Sequence, residues 1–273
     1  MKNPLLKFIA GFILPAAVIV LLGKLSIWYG IVAFLAYIAL VIYLSRVMLF
    51  TIIGGRNYAQ GKTEPALKWF KRAYENKKAG IKPAISYAYI LLKNAELEKS
   101  EEILKKLLKD YPNDQAVPSV KSNLALVLWK KGELDAATGM LEEVIESYKT
   151  TSVYGSLGYL LLLSGNLEKA LQFNLEAREF NSADKIILDN LGQNYYLLGM
   201  YDKSAEIYEP LVKKSPTFPE PYYNYGLLLE KQGEPEKALE MMKTALGSKF
   251  SYLSSITKDD VEAKVKEISA GLE

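Results

Sequence analysis

The clearest pattern of apolar and polar positions in this chain lies between residues 188 and 216. Its first half has small or apolar residues at the i, i+3, i+4 and i+7 spacing of one helix face, namely Leu188, Leu191, Gly192 and Tyr195. Gly199 interrupts this helix, and a second helix follows with an inner face of Ser204, Tyr208 and Leu211, ended by Pro216. The pattern predicts a helical hairpin, in which the small residues let two helix backbones approach.

The hairpin pattern recurs through most of the chain, at spacings of 34, 37, 33, 34 and 34 residues. The turn position is occupied by Gly61, Ala95, Gly132, Gly165, Gly199 and Gly233. A small residue lies seven positions earlier, as Gly54, Ala88, Ala125, Gly158, Gly192 and Gly226, and another lies five positions later, as Ala66, Ser100, Ala137, Ala170, Ser204 and Ala238. The widest spacing predicts a longer loop around residues 113–119.

These repeats resemble the tetratricopeptide repeat (TPR) family, whose pattern of Trp, Leu-Gly, Tyr, Ala, Phe, Ala and Pro they follow in degenerate form over residues 47–250. The Trp that opens the family pattern is replaced by Phe50, Ala84, Lys121, Tyr154, Leu188 and Tyr222. The resemblance implies an all-α fold, a TPR-type right-handed α-solenoid of about six helical hairpins. It also implies a concave groove, lined by the leading helices, that binds another protein.

Two apolar runs precede the repeats. Leu5–Leu22 contains only Lys7 as a charge and Ile27–Leu44 contains none, and a membrane-spanning helix needs about 20 apolar residues. We therefore expect residues 1–46 to form a membrane anchor of two transmembrane helices, with Pro15 kinking the first. A cleaved signal peptide is the alternative for the first run, but a second apolar run follows directly and no small-residue cleavage site separates them.

Basic residues near the two apolar runs predict the orientation, because cytoplasmic flanks carry the excess of lysine and arginine. Lys2 and Lys7 lie at the N-terminal flank, and only Lys24 lies in the turn. The flank after the second run contains Arg46, Arg56, Lys62, Lys68, Lys71 and Arg72. We expect an integral protein of a prokaryotic cell membrane, with the repeats and both termini in the cytoplasm.

The sequence also predicts how the repeat array begins and ends. The helix that begins at Ile27 continues in repeat phase through Gly54 to Gln60, so the second membrane span and the first repeat helix form one rod. At the other end, residues 251–273 are expected to contain a capping helix that starts at Thr257, with Asp260 at its third position. Such a helix has one apolar and one charged face, as the open end of a solenoid requires.

Composition excludes most catalytic chemistry. The chain has 273 residues, a net charge of +3, and neither histidine nor cysteine, which removes the commonest general base and the commonest metal ligands. Residues 54–273 have a net charge of −1, so no basic field points to nucleic acid. The segment Gly55–Thr63 ends like a phosphate-binding loop, but its glycine spacing is wrong and it does not follow a strand. We expect no enzyme activity, no metal, no cofactor and no small-molecule substrate.

The candidate site is the concave surface. The repeat phase places these residues there: Tyr89, Asn123, Leu126, Trp129, Tyr159, Asn190, Gln193, Tyr196, Tyr223 and Asn224. Aromatic rings and amides together suit an apolar peptide segment, with the amides bonding its main chain. The alternative is that the three asparagines, which share one repeat position, hold neighbouring helices together. Because none of the inward positions is basic, a partner's C-terminal carboxylate is not expected.

Three functions fit these features. The first is a membrane-anchored scaffold or adaptor that binds a partner protein at the cytoplasmic face through the groove. The second places the repeats outside the cytoplasm, in envelope assembly or secretion. The third is a regulatory subunit of a membrane enzyme complex, for which the chain shows no catalytic site of its own.

Overall fold

The computed structural model describes residues 8–76 and 80–272, in which fourteen α-helices and no strand are present. A π-helical turn (Ile9–Ile13) leads into α1 (Leu14–Leu25), α2 (Ile27–Ala59) and α3 (Thr63–Tyr74). The next helices are α4 (Ile81–Lys93), α5 (Leu97–Asp110), α6 (Val117–Lys130), α7 (Leu134–Ser147), α8 (Thr151–Leu163) and α9 (Leu167–Phe180). The last are α10 (Lys185–Leu197), α11 (Tyr201–Lys213), α12 (Glu220–Lys231), α13 (Pro235–Leu246) and α14 (Lys258–Ala270). The chain divides into two compact units, residues 1–83 and 84–273.

In the N-terminal unit, α1 and α2 form a tight helical hairpin. The helices meet at Gly23 and Gly30, where a Cβ atom on Gly30 would lie only 2.9 Å from the Gly23 Cα. Pro15 has no N–H, so it cannot donate to the Gly11 carbonyl four residues earlier, and Tyr37 Oη of α2 donates to that carbonyl instead at 2.7 Å. The sequence predicts a kink here, and the structure has a π-helical turn directly before the proline.

The α1–α2 hairpin has a largely exposed apolar surface. By length and composition, α2 is the single helix in the described ranges that could cross a membrane, and the apolar helix Ile9–Leu25 is shorter. The expected pair of transmembrane helices is therefore not confirmed. The expected first span begins at Leu5, and that residue lies outside the described residues together with Lys2 and Lys7.

One continuous helix, α2, contains both the apolar segment and the leading helix of the first repeat, as the sequence predicts. It packs against α3, and Gly54 is buried at the contact because the Phe70 ring lies 3.0 Å from where its Cβ would be. The apolar helix thus continues without a break into the first helix of the first repeat hairpin. The expected domain limits at residues 46 and 250 stay predictions.

The repeat turns have the backbone geometry that the pattern predicts. All six turn positions have a positive φ, with values of 74° at Gly61, 62° at Ala95, 86° at Gly132, 80° at Gly165, 72° at Gly199 and 78° at Gly233. This left-handed conformation costs a residue with a side chain, which explains glycine at five of the six positions.

Small residues lie at the helix contacts of the α4–α5, α10–α11 and α12–α13 hairpins. A Cβ on Gly192 would lie 2.7 Å from Tyr208 Cζ, and Ser204 Oγ donates to the Gly192 carbonyl at 2.8 Å. The same serine bond recurs in the α4–α5 hairpin, from Ser100 to the Ala88 carbonyl at 2.8 Å. In the α12–α13 hairpin, the Met242 side chain fills the space beside Gly226.

The solenoid of the second unit ends with α14, which packs against α13. Thr257 is its N-cap and forms the reciprocal bonds of a capping box, with 3.1 Å from Asp260 N to Thr257 Oγ1 and 2.8 Å from Thr257 N to Asp260 Oδ2. Val261 and Ile268 are buried on the last hairpin, as the apolar face predicts. Between α13 and α14 lies a non-helical segment, residues 247–257.

Candidate protein-binding groove

The second unit contains a groove of about 900 Å³ along its leading helices. The helices α4, α6, α8 and α10 line it, and Glu220 at the start of α12 lies at its far end. Successive leading helices α8, α10 and α12 also contact each other directly, so they form one inner layer. One more segment lines the groove, residues 251–255 between α13 and α14, which we call the C-terminal strap.

The residues expected at the site divide into two groups. Six line the groove: Tyr89, Asn123, Leu126, Trp129, Tyr159 and Asn190. Four do not: Gln193, Tyr196, Tyr223 and Asn224. The division follows the chain, because the second group belongs to α12 and the C-terminal half of α10. Whether the first group binds a partner stays a prediction.

The groove aromatics are half-buried rather than fully exposed. Trp129 and Tyr159 pack edge to face with ring centroids 5.5 Å apart, so rings from two repeats form one apolar surface. Burial raises the pKa of the Tyr159 hydroxyl, although a hydrogen bond from Ser255 opposes that shift. Tyr89 lies on α4 with Lys93 Nζ 5.9 Å from its ring centroid.

Two of the three asparagines hold helices together. Asn190 Nδ2 donates to the Gly155 carbonyl at 2.7 Å and Asn224 Nδ2 donates to Asp189 Oδ1 at 3.1 Å, each spanning 35 residues, and both side chains are buried. These bonds are those of the alternative in which the asparagines hold neighbouring helices, and each uses one of the two N–H groups of its amide. The expectation that these amides bond a partner's main chain stays a prediction. Asn123 is half-buried in the groove wall.

Asp189 is a buried acid that the sequence pattern does not single out as chemically distinct. Its carboxylate accepts from Asn224, and Tyr208 Oη lies 3.1 Å from both its Oδ1 and its main-chain carbonyl oxygen. Burial raises the pKa of Asp189 to about 7, while the hydrogen bonds from Asn224 and Tyr208 partly oppose that rise. The carboxyl group thus joins α10, α11 and α12 at the floor of the groove.

The C-terminal helix explains why the α12 residues lie outside the groove. Tyr223 packs in the apolar cluster that includes Val261 and Ile268 of α14. Lys264 of α14 forms an ion pair with Glu230 of α12 at 2.9 Å. The concave face of the last repeat is therefore occupied by the chain's own capping helix.

The C-terminal strap contacts two leading helices, α6 and α12. Lys130 Nζ, at the end of α6, donates to the Ser254 carbonyl at 3.1 Å and lies 5.3 Å from the Tyr252 ring centroid. Ser255 N donates to Glu220 Oε1 at 2.8 Å. Sequence reasoning missed Lys130, Glu220 and the strap because none of them follows the inner-face periodicity.

Two basic side chains lie close to the groove, although none of the predicted inward positions is basic. Lys93 lines the groove, and Lys130 reaches the strap from α6. Both lie in the last turn of a leading helix, beyond the positions that the repeat phase predicts to face inward. The groove lining thus contains a basic side chain, and the expectation of a partner that does not bind through a C-terminal carboxylate stays a prediction. No cluster of three acidic, histidine or cysteine residues suited to a metal ion occurs within residues 8–76 and 80–272.

Comparison with known sequences supports the repeat assignment. Profiles described as tetratricopeptide repeat match residues 119–152 and 207–240. The chain contains tetratricopeptide repeats. The first TPR match covers α6 and α7, and the second runs from α11 through α12 into α13. A comparison with curated proteins finds no match.

Solved structures confirm the TPR-like solenoid. A tetratricopeptide repeat protein from Parabacteroides merdae ATCC 43184 is similar with a TM-score of 0.65 and 16% identity, over 93% of this chain and 98% of that chain. PilF of Pseudomonas aeruginosa is similar with a TM-score of 0.60 and 14% identity, over 82% of this chain and 97% of that chain. At these identities the similarity shows the fold alone.

Proposed function

We propose that this protein is a membrane-anchored TPR scaffold that binds a segment of another protein in the groove between α4 and α10. The observation that carries the proposal is the Trp129–Tyr159 pair, two half-buried rings in contact on a groove of about 900 Å³. Aromatic rings that present area to a groove are the usual energetic centres of protein interfaces. The partner segment is apolar where it meets these rings.

The groove proposal is tested by Trp129→Ala and Tyr159→Ala in the full chain. Removing a central aromatic typically weakens binding by about 2 kcal/mol or more. We expect both variants to lose capture of the partner from native membranes while their melting temperatures stay close to that of the parent. Tyr111→Ala is the matched control, because Tyr111 is an exposed ring in the loop before α6. Equal capture by all three variants, or unfolding of the groove variants, would reject the proposal.

The membrane part of the proposal rests on α1 and α2. Their apolar side chains are exposed over most of their length, and residues 1–53 contain no acid. An exposed apolar surface of this extent is stable in contact with lipid. At the end of the apolar segment, the Arg46 guanidinium lies 4.0 Å from the Tyr43 ring centroid, and such pairs suit the lipid headgroup region.

The proposal places the repeats and both termini in the cytoplasm, because more basic residues flank the hairpin than lie in its turn. Fusing a reporter that is active only outside the cytoplasm at Glu273 tests this orientation. We expect that fusion to be inactive, whereas insertion of the same reporter beside Lys24 should be active. The reverse result would favour a role outside the cytoplasm, in envelope assembly or secretion.

A further inference from the structure

One peptide group of the C-terminal strap is held from both sides by opposite charges. The Ser254 carbonyl accepts from Lys130 Nζ at 3.1 Å, and the Ser255 N–H donates to Glu220 Oε1 at 2.8 Å. The carbonyl of residue 254 and the N–H of residue 255 belong to the same peptide bond. A cation from α6 and an anion from α12, 90 positions apart in the chain, therefore grip a single peptide unit.

The side chains of Lys130 and Glu220, which contact this peptide group, are both at least partly buried. Lys130 is half-buried, and its ammonium lies 4.2 Å from the Trp129 ring centroid. Glu220 is only 9% exposed, and its Oε2 has no hydrogen-bond partner among the described residues. Burying a charged group costs free energy unless a polar group forms a hydrogen bond with it. Lys130 and Glu220 therefore stabilise any segment that places a peptide group between them.

We propose that Lys130 and Glu220 form a clamp for one main-chain peptide group of a partner segment, and that Ser254–Ser255 of this chain holds the clamp in the partner's place. The clamp deepens the proposed function, because it identifies what the groove recognises, and it rests on that function. The groove rings contact the partner's apolar side chains, whereas the clamp binds its backbone.

The way in which the strap is attached supports its role as a replaceable occupant. The chain before it is tied by a bond from Lys249 N to the Thr217 carbonyl at 2.8 Å, and the flanking residues Phe250 and Ile256 pack on the apolar cluster of the last hairpin. The capping box at Thr257 and the buried face of α14 hold the other side. None of these attachments is made by residues 251–255, so displacement of the strap does not require α14 to unfold.

The strap also indicates the chemistry of the partner segment. Leu253 lines the groove directly before the clamped peptide group, and Ser254 and Ser255 are small. A partner with an apolar residue followed by two small residues fits the same place. The unpartnered Glu220 Oε2 can accept one more hydrogen bond, so a partner segment that supplies a second donor binds more tightly than the strap does.

Proline in place of Ser255 tests the clamp, because proline has no N–H to donate to Glu220. The probe is a fluorescent peptide with the sequence of residues 248–257, added to the full chain in detergent and followed by fluorescence anisotropy. We expect the Ser255→Pro chain to bind this peptide about tenfold or more tightly than the parent chain, whose strap competes. The Ser255→Ala chain keeps this N–H and loses only the side-chain hydrogen bond to Tyr159, so it should bind the peptide much more weakly than the Ser255→Pro chain does. A peptide that itself carries proline at the Ser255 position should not bind.

The clamp side chains are tested in the Ser255→Pro background. Adding Lys130→Met or Glu220→Gln should weaken peptide binding by about tenfold each, because each change removes one charged hydrogen bond to the peptide group. Lys131→Met is the matched control, since Lys131 is the next residue along the chain and pairs with Glu101 instead. An equal loss from Lys131→Met would show that the effect is not local, and would overturn the proposal.

A second measurement keeps the proposal testable if Ser255→Pro does not fold. Amide hydrogen exchange of the strap in the otherwise native chain should be at least about tenfold faster in Glu220→Gln and in Lys130→Met than in the parent. Unchanged exchange, or failure of the peptide to bind a folded Ser255→Pro chain, would overturn the clamp. The outcome is separate from that of the groove: loss of partner capture in Tyr159→Ala without any effect of the clamp variants would retain the proposed function and reject the clamp alone.

Discussion

At the residue scale, the repeat turn shows how one backbone angle selects an amino acid. Five of the six turns place glycine at the left-handed position, and the sixth places Ala95 there with φ of 62°. This conformation costs an L-residue with a side chain roughly 1–2 kcal/mol. The backbone at Ala95 is therefore strained, whereas the glycines of the other five repeat turns adopt the same conformation without strain.

Ala95→Gly should stabilise the protein by about 0.5–1 kcal/mol, because relief of the left-handed strain exceeds the extra freedom that glycine gives the unfolded chain. Urea unfolding of the full chain in detergent, followed by far-ultraviolet circular dichroism, measures this change. The matched reverse substitution is Gly132→Ala, at a φ of 86°, which should destabilise by about 1 kcal/mol. A lower stability for Ala95→Gly would show that the turn is not strained.

The buried carboxyl group of Asp189 makes the stability of the folded chain depend on pH. Burial raises its pKa to about 7, from an ordinary value of 3.8, so between these values the folded chain holds a proton that the unfolded chain has lost. The contribution of this group is fully present below its unfolded pKa, and stability falls as the pH rises to about 7. Above the folded pKa the loss is complete.

Asp189→Asn should remove that pH dependence, since an amide oxygen still accepts from Asn224 and Tyr208 but carries no charge. The parent's free energy of unfolding should fall between about pH 5 and about pH 8 by on the order of a few kcal/mol more than that of the variant. Equilibrium unfolding at the two pH values measures the difference, with Asp202→Asn at the exposed start of α11 as the control. Equal pH dependence in parent and Asp189→Asn would contradict the assignment.

At the scale of the element, the α10–α11 hairpin depends on a small residue facing a large one. Gly192 and Tyr208 form the closest such contact of α10 and α11, with the ring 2.7 Å from the place of a Cβ. Tyr208 cannot move away easily, because its hydroxyl is held at Asp189. The ring therefore limits the size of the residue at position 192.

Gly192→Ala should destabilise the chain by about 1–3 kcal/mol through overpacking, and Gly192→Leu by more. The control is Gly139 on α7, where a Cβ meets nothing within 4 Å. Gly139→Ala should stabilise by about 0.5–1 kcal/mol, because alanine favours the helix interior. Thermal unfolding of the three variants separates the cases, and equal behaviour of Gly139→Ala and Gly192→Ala would mean that the hairpin contact is loose.

The hairpins, their turns and the capping helix could be predicted from the sequence because each is determined by residues that lie close together in the chain. The turn glycines, the pair of Gly192 and Ser204, and the capping box at Thr257 all depend on residues within one repeat. The strap could not be predicted, because residues 247–257 have no periodicity and the Lys130 contact joins positions 124 residues apart. The buried roles of Asn190 and Asn224 were likewise open until the neighbouring repeat was in place.

At the scale of the whole molecule, the repeats form a surface and the apolar hairpin offers a means of attachment. The groove along α4 to α10 combines the Trp129–Tyr159 pair with main-chain contacts near Glu220. The last repeat does not extend this surface, since α14 packs on it. Partner binding is therefore assigned to the first four leading helices of the second unit and to Glu220 at the start of α12.

Photo-crosslinking in native membranes tests this central claim most directly. A crosslinking amino acid at Leu126, in the groove, is compared with one at Gln172, on the exposed side of α9. The account predicts that one partner protein crosslinks from position 126 and not from position 172, and that Trp129→Ala abolishes the product while the melting temperature stays unchanged. Crosslinking of the same partner from both positions, or a product that survives Trp129→Ala, would contradict it.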